Sequence, residues 1–140
     1  MNDAIHLLFV YGSLRSGFPG PAFQYIAPYF TKVADGKVKG KLYDLGEYPA
    51  ALPTTDEAFI IGELYQANSP EEFSWAIAQL DDYEGVNVEA DEVKLYRREI
   101  AEVYCKGEAI PAWIYWYNGD VNGKQPIPSG DMMEYLNKKR

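Results

Sequence analysis

The stretch from Ser69 to Gly85 carries the clearest helix signals in this chain, and most of what surrounds it reads as strand. Ser69 suits an N-cap, Pro70 fits the first helical position, where an N–H is not needed, and Glu72 completes a capping box. Phe73, Ala76, Ile77 and Leu80 recur at helical spacing, and Gly85 supplies the stop. Ile5 to Tyr11 is mostly apolar and ends at Gly12, as a buried first strand would. From Val33 to Leu42 apolar and polar residues roughly alternate around Gly36 and Gly40, and strands with internal glycine often bend or bulge. Phe59 to Tyr65 reads as another strand. Tyr96 to Tyr104 runs to a turn at Lys106-Gly107 and returns as Pro111 to Tyr117, with Trp113, Tyr115 and Tyr117 on one face. Short helices are expected at residues 22–30 and from Asp131 to Lys139, the latter with lysines in its last turn. This mixed order predicts an α+β fold with two or three helices, and short glycine-kinked strands in a small chain favour a closed or partly closed barrel.

A length of 140 residues fits one domain, and no repeat or linker divides it, so a single domain is expected over 1–140. Twelve Tyr, six Phe and three Trp supply enough large apolar surface for a core at this size. No apolar run approaches the ~20 residues of a membrane helix, and Leu7 to Val10 is too short for a signal peptide. A cytoplasmic protein with no membrane partner is the expectation. The formal net charge is −8, and no basic run is longer than Lys138-Lys139-Arg140, so nucleic acid is not an expected partner. A lone Cys105 closes no internal disulfide. His6 is the only histidine, which removes Ser-His-Asp triads, Cys-His pairs and His-rich zinc sites. Chemistry is left to carboxylates, tyrosines, lysines and backbone groups.

Among these, Glu84 stands out. At about 100° per residue it falls within roughly 20° of Phe73, on the stripe of Ile77 and Leu80. Asp82 points nearly the opposite way and Asp81 lies at the edge of the stripe. If the helix persists to its glycine stop, Glu84 faces the core, where burial and the negative end of the helix dipole both raise a carboxyl pKa. That prepares a carboxylate for proton transfer. The competing reading is a solvated acidic helix end, Asp81-Asp82-Tyr83-Glu84, with its last turn frayed.

Tyr11-Gly12-Ser13-Leu14 marks the exit from the first strand, and successive amides there can form an anion-binding nest or an ordinary Gly-Ser turn. Gly12 to Gly17 has the glycine spacing of a P-loop, but Phe18-Pro19 replaces the required Lys-Ser/Thr. The nucleophile elbow and the dinucleotide fingerprint are both absent.

Together, YGSL (11–14), GKLYDLGEYPA (40–50), GELY (62–65), LDDYEGV (80–86) and YRR (96–98) resemble the γ-glutamylcyclotransferase-like family, in its small AIG2-like branch. The resemblance implies a γ-glutamylcyclotransferase-like fold, a small bent mixed β-barrel with a cavity at one end, and marks Glu84 as the catalytic glutamate. It implies substrate-binding amides from Tyr11, Gly12, Ser13 and Leu14, with Tyr48 and Tyr117 as further pocket candidates and no metal or cofactor. Arg97 is open to either a structural ion pair or a substrate carboxylate. One departure bears on substrate. The glutathione-cleaving branch has Ile-Trp after its YGSL, where Arg15-Ser16 stand here, and Phe18-Pro19-Gly20-Pro21 occupies the stretch where family members commonly place an Asn.

The implied reaction is intramolecular acyl transfer, in which the α-amine of a small γ-glutamyl substrate attacks its own γ-carbonyl and frees 5-oxoproline. Two rivals remain at this point: a non-catalytic small-molecule binding protein that keeps the pocket, and a carboxylate hydrolase pairing Glu84 with Asp44 or Asp81. The second requires another inward carboxylate about 5–10 Å from Glu84.

Overall fold

The computed structural model describes residues 6–11, 28–45, 49–83, 96–132 and 134–135, with the backbone alone for Asp82 and Tyr83. Its elements are β1 (Leu7–Val10), β2 (Phe30–Asp44), β3 (Pro49–Pro53), β4 (Phe59–Ala67), α1 (Pro70–Tyr83), β5 (Tyr96–Cys105), β6 (Glu108–Tyr117) and β7 (Gln125–Ile127). Five strands close a barrel in the order β2-β4-β1-β6-β5, and the contact Lys37↔Tyr104 returns β5 to β2. Every junction is antiparallel except β1–β6, which is parallel at Leu8↔Trp113. The fold is therefore a small closed mixed barrel with the long helix α1 beside it, as expected of an α+β chain.

β2 belongs to two sheets. Its first part lies in the barrel wall, and from Gly40 to Asp44 it pairs with β3, while Leu42 to Asp44 also pair with β7. A register shift between Lys32 and Ala34 leaves Val33 as an extra residue on the exposed side, so the bulge falls there rather than at a glycine. The strand also starts earlier than the sequence pattern suggests. Residues 28–29 form a turn and Phe30 is already strand, which corrects the end of the helix expected at 22–30; residues 22–27 lie outside the described set. Near the C-terminus Met132, Glu134 and Tyr135 are helical, with the Tyr135 N–H donating to the Asp131 carbonyl at 3.0 Å, and residues 136–140 lie outside the described set.

Two hydrophobic layers follow from strand alternation. Phe9, Val38, Ile60, Leu64, Val103, Ala112 and Ile114 fill the barrel. Leu8, Val10, Tyr65, Ala67 and Tyr115 lie on the outer face, where Phe73, Ala76, Ile77 and Leu80 of α1 cover them. β1 is thus buried on both sides, and this is why its sequence is continuously apolar rather than alternating. The start of α1 is capped as its sequence predicts: Ser69 Oγ accepts from the Glu72 N–H at 3.2 Å. The β5–β6 hairpin turns on Lys106 and Gly107, both left-handed (φ 50° and 84°), as a two-residue turn between right-twisted strands requires. No helix among the described residues is long and apolar enough to cross a membrane.

Close approach, not bending, explains the barrel glycines. A Cβ on Gly62 would lie 2.2 Å from the Val10 carbonyl oxygen and 2.5 Å from the Phe9 ring, and one on Gly36 would lie 2.8 Å from Cys105 Sγ. Gly62→Ala must therefore push β4 away from β1. The expected cost is about 1–3 kcal/mol, read as a fall in Tm of about 3–10 °C in calorimetry. An unchanged Tm would mean that the strands separate without loss.

Candidate active site

α1 begins beside the start of β1, where the Phe73 ring packs 5.0 Å from His6 and 6.3 Å from Phe30. Eight residues later, about 12 Å along the helix axis, Asp81 reaches the level where β1 ends. Two sequence-distant segments therefore arrive at one end of the barrel: the last turn of α1 and the exit from β1.

Tyr115 of β6 joins them. The Tyr11 hydroxyl donates to the Tyr115 main-chain carbonyl across the parallel β1–β6 junction. The Tyr115 hydroxyl in turn donates to Asp81 Oδ1 at 2.9 Å. Asp81 is buried, with 7% of its surface exposed, and receives a two-pronged contact from Arg98 on β5: Nε to Oδ1 at 2.8 Å and Nη2 to Oδ2 at 3.0 Å. The guanidinium lies 4.4 Å above the Trp113 ring, so both faces of its chemistry, hydrogen-bonding fork and flat cation, are used. Burial works to lower the Arg98 pKa, but the hydrogen bonds and charge of Asp81, with a smaller contribution from Tyr115, outweigh it and hold the group above its usual value.

A third segment arrives from β3. The buried Tyr96 hydroxyl donates to the Pro49 carbonyl at 2.6 Å, which fixes the chain immediately after Tyr48. Tyr96 sits opposite Tyr117 in the β5–β6 register, and their rings meet edge to face at 5.6 Å. Tyr11, Asp81, Pro49 and Tyr117 thus bring the YGSL, LDDYEG, GEYPA and late-strand segments to one neighbourhood.

Of the residues named from sequence, the structure describes Tyr11 and Tyr117 and connects both to this cluster. Gly12, Ser13, Leu14, Tyr48 and Glu84 lie outside the described residues. Arg97 resolves as structural: its Nε contacts Glu99 at 3.1 Å and its Nη1 donates to the Tyr117 carbonyl at 3.1 Å. Its neighbour Arg98 is the one that reaches the cluster, and the signal was available, since strand alternation puts Arg98 on the face of Tyr96 and Arg97 on the other. Asp81 is not at the edge of the buried stripe but inside it. Both of its oxygens are engaged, and Asp44 accepts a hydrogen bond from the Tyr135 hydroxyl at 2.8 Å. Asp81 is thereby committed to an ion pair with Arg98 rather than left open as a hydrolase's partner acid. A second buried carboxylate, Glu63, went unnoticed in the GELY segment. It stands opposite Val10, accepts from the Tyr65 hydroxyl at 2.9 Å and lies 3.5 Å from Lys32 Nζ. Among the described residues no group of three His, Cys, Asp or Glu side chains is arranged to hold a metal.

Comparison with known proteins agrees with this fold. The profile described as Gamma-glutamyl cyclotransferase, AIG2-like matches residues 8–134. A Vibrio cholerae serotype O1 protein, provisionally named gamma-glutamylcyclotransferase, is 33% identical over 130 residues, spanning 90% of this chain and 94% of its own. Among solved structures, YkqA from Bacillus subtilis superposes with a TM-score of 0.70 at 26% identity, covering 96% of this chain but only 43% of YkqA. The Escherichia coli protein ytfP gives 0.61 at 26% identity, covering 93% of this chain and 98% of its own. An AIG2-like protein from Mus musculus gives 0.60 at 21%, covering 80% of this chain and 76% of its own, a likeness of fold.

Removing Arg98 would strand a buried charge. Arg98→Met is expected to cost about 3 kcal/mol in chemical denaturation, the lower end for a broken buried ion pair because the guanidinium keeps some water contact. Arg98→Lys, which keeps charge but loses the fork, is expected to recover part of that. Equal stability of all three proteins would show that the pair contributes nothing.

Proposed function

This chain belongs to the gamma-glutamyl cyclotransferase, AIG2-like family, and from that premise we propose that it is a cytoplasmic γ-glutamylcyclotransferase acting on γ-glutamyl amines or γ-glutamyl amino acids, with Glu84 as its acid/base. The observation that carries this reading is the meeting of the α1 end and the β1 exit on Tyr115. It brings the helix that leads to Glu84 and the strand that leads to Gly12-Ser13-Leu14 to the same end of the barrel.

The reaction balances without an added reagent. Glu84 takes a proton from the substrate α-ammonium, and the freed amine attacks the γ-carbonyl carbon. The new C–N bond closes a five-membered ring and leaves an oxyanion. As the oxyanion reforms the carbonyl, the bond to the original amide nitrogen breaks. Glu84 gives its proton to that nitrogen and relays to it the second proton lost by the new ring nitrogen, so that a neutral lactam and an ammonium group result. The products are 5-oxoproline and a free amine or amino acid. Because the nucleophile belongs to the substrate, the chain needs no activated Ser or Cys, which suits a sequence whose one histidine sits beside Phe73 at the opposite end of α1. Folding the γ-glutamyl chain so that nitrogen meets carbon contributes about 7–11 kcal/mol of barrier reduction in well-aligned intramolecular cases. Proton transfer by one positioned carboxylate adds about 10²–10⁴-fold. The amides of the Tyr11–Leu14 turn are assigned to the substrate carboxylate or the oxyanion. Intact glutathione is the less favoured substrate, because Arg15-Ser16 replace the Ile-Trp of the glutathione-cleaving branch.

A mass-spectrometric screen of a γ-glutamyl panel is expected to show 5-oxoproline release from at least one γ-glutamyl amine or amino acid, with Glu84→Gln slower by about a hundredfold or more. Equal turnover by the two proteins would remove Glu84 from the mechanism. Ligand binding without 5-oxoproline would favour the binding-protein reading.

A further inference from the structure

We propose that Asp81, Arg98 and Tyr115 form a positioning clamp for the reaction, locking the last turn of α1 to the exit from β1 so that the acid/base and the substrate-binding turn are held in one geometry. The proposal rests on the reading given above for Glu84 and the Tyr11–Leu14 turn.

Stability alone is a poor reason for this arrangement. A buried ion pair is often no better than apolar side chains of the same volume. Asp81 is, moreover, an acidic group in the last turn of a helix, where the dipole disfavours it, and α1 has no basic residue in that turn to compensate. The compensating cation comes from β5, and its fork fixes both distance and orientation, as a lysine would not. Arg98 is itself oriented by the Trp113 ring below it. The same Asp81 oxygen that receives Arg98 Nε also receives the Tyr115 hydroxyl, and the Tyr115 carbonyl receives the Tyr11 hydroxyl. One residue of β6 therefore holds the helix with its side chain and the start of the turn with its main chain. Asp81 precedes Glu84 by one helical turn in sequence, and Tyr11 is the first residue of YGSL. Catalytic groups misplaced by about 1 Å lose on the order of a hundredfold in rate, so a rigid link at this point has a use that packing does not explain. None of the three side chains needs to touch substrate; they act through the segments they hold.

The test uses Tyr115→Phe, which keeps the ring in the core and deletes only the hydroxyl that reaches Asp81. Hydrogen exchange followed by NMR is expected to show the amides of residues 80–83 exchanging about tenfold faster, with residues 73–77 unchanged. In steady-state kinetics kcat should fall about tenfold while KM stays within about twofold. In the Glu84→Gln background the same substitution should cause no further loss, because the clamp acts through that residue. Asp81→Asn, which keeps the shape and loosens both contacts, should behave alike. Unchanged exchange at 80–83 would overturn the clamp, and so would an equal fall of kcat in the Glu84→Gln background. If the wild-type protein released no 5-oxoproline while the amides at 80–83 loosened in the variant, the link would stand and the failure would lie with the assigned reaction.

Discussion

A barrel of five strands has an interior only wide enough for side chains, and closing it forces the walls close together. Here closure depends on β2 reaching β5 at Lys37↔Tyr104. Where the walls approach most closely the chain carries no side chain at all: Gly62 faces the Val10 carbonyl and the Phe9 ring, and Gly36 faces Cys105 and Val103. Bulky residues then fill what remains, with Phe9, Ile60, Leu64 and Ile114 essentially inaccessible. Since the lumen is full, α1 packs on the outer face of the barrel. The burial of Cys105 in this lumen raises its thiol pKa and so disfavours the reactive thiolate.

Patterns with a local cause were legible in the sequence. α1 was readable from its cap and apolar stripe, the β5–β6 hairpin from alternation around Lys106-Gly107, and β1 from an apolar run that only a strand covered on both faces would carry. β3 and β7 were not readable, because Pro49, Pro53 and Pro126 argue against strand. Both are edges of the small sheet on β2, where a missing N–H leaves no central ladder broken. The early start of β2 was hidden by an exposed, bulged stretch at residues 31–33 that has no clean period. At the site, the segments were found by motif, but the ion pair between Asp81 and Arg98 was missed. Its partners are 17 residues apart and on different elements, and nothing local in either segment reports the other.

The acidic end of α1 shows how electrostatics and topology meet. Asp81 and Asp82 stand where a free helix would favour lysine. The barrel makes this tolerable by setting β5 beside the helix end, so that a strand supplies the cation the helix lacks. Trp113 and Tyr115 on the adjacent strand provide a flat support and a hydroxyl donor for the same pair. The overall negative charge of the chain leaves few spare cations, and here one is committed to the interior rather than to solvent.

The parallel junction between β1 and β6 has a kinetic consequence. Its hydroxyl-to-carbonyl bond joins residues separated by 104 positions, so nothing made early in synthesis can complete this end of the barrel. β1, β2 and β4 can pair as soon as they emerge from the ribosome, but β1 then waits as an unpaired apolar edge until β6 arrives. High sequence separation of this kind slows folding and prolongs exposure of sticky edges. A nascent chain stopped before β6 would therefore have an open barrel and be prone to self-association, and the residues that assemble the candidate site are also those that end its hazard.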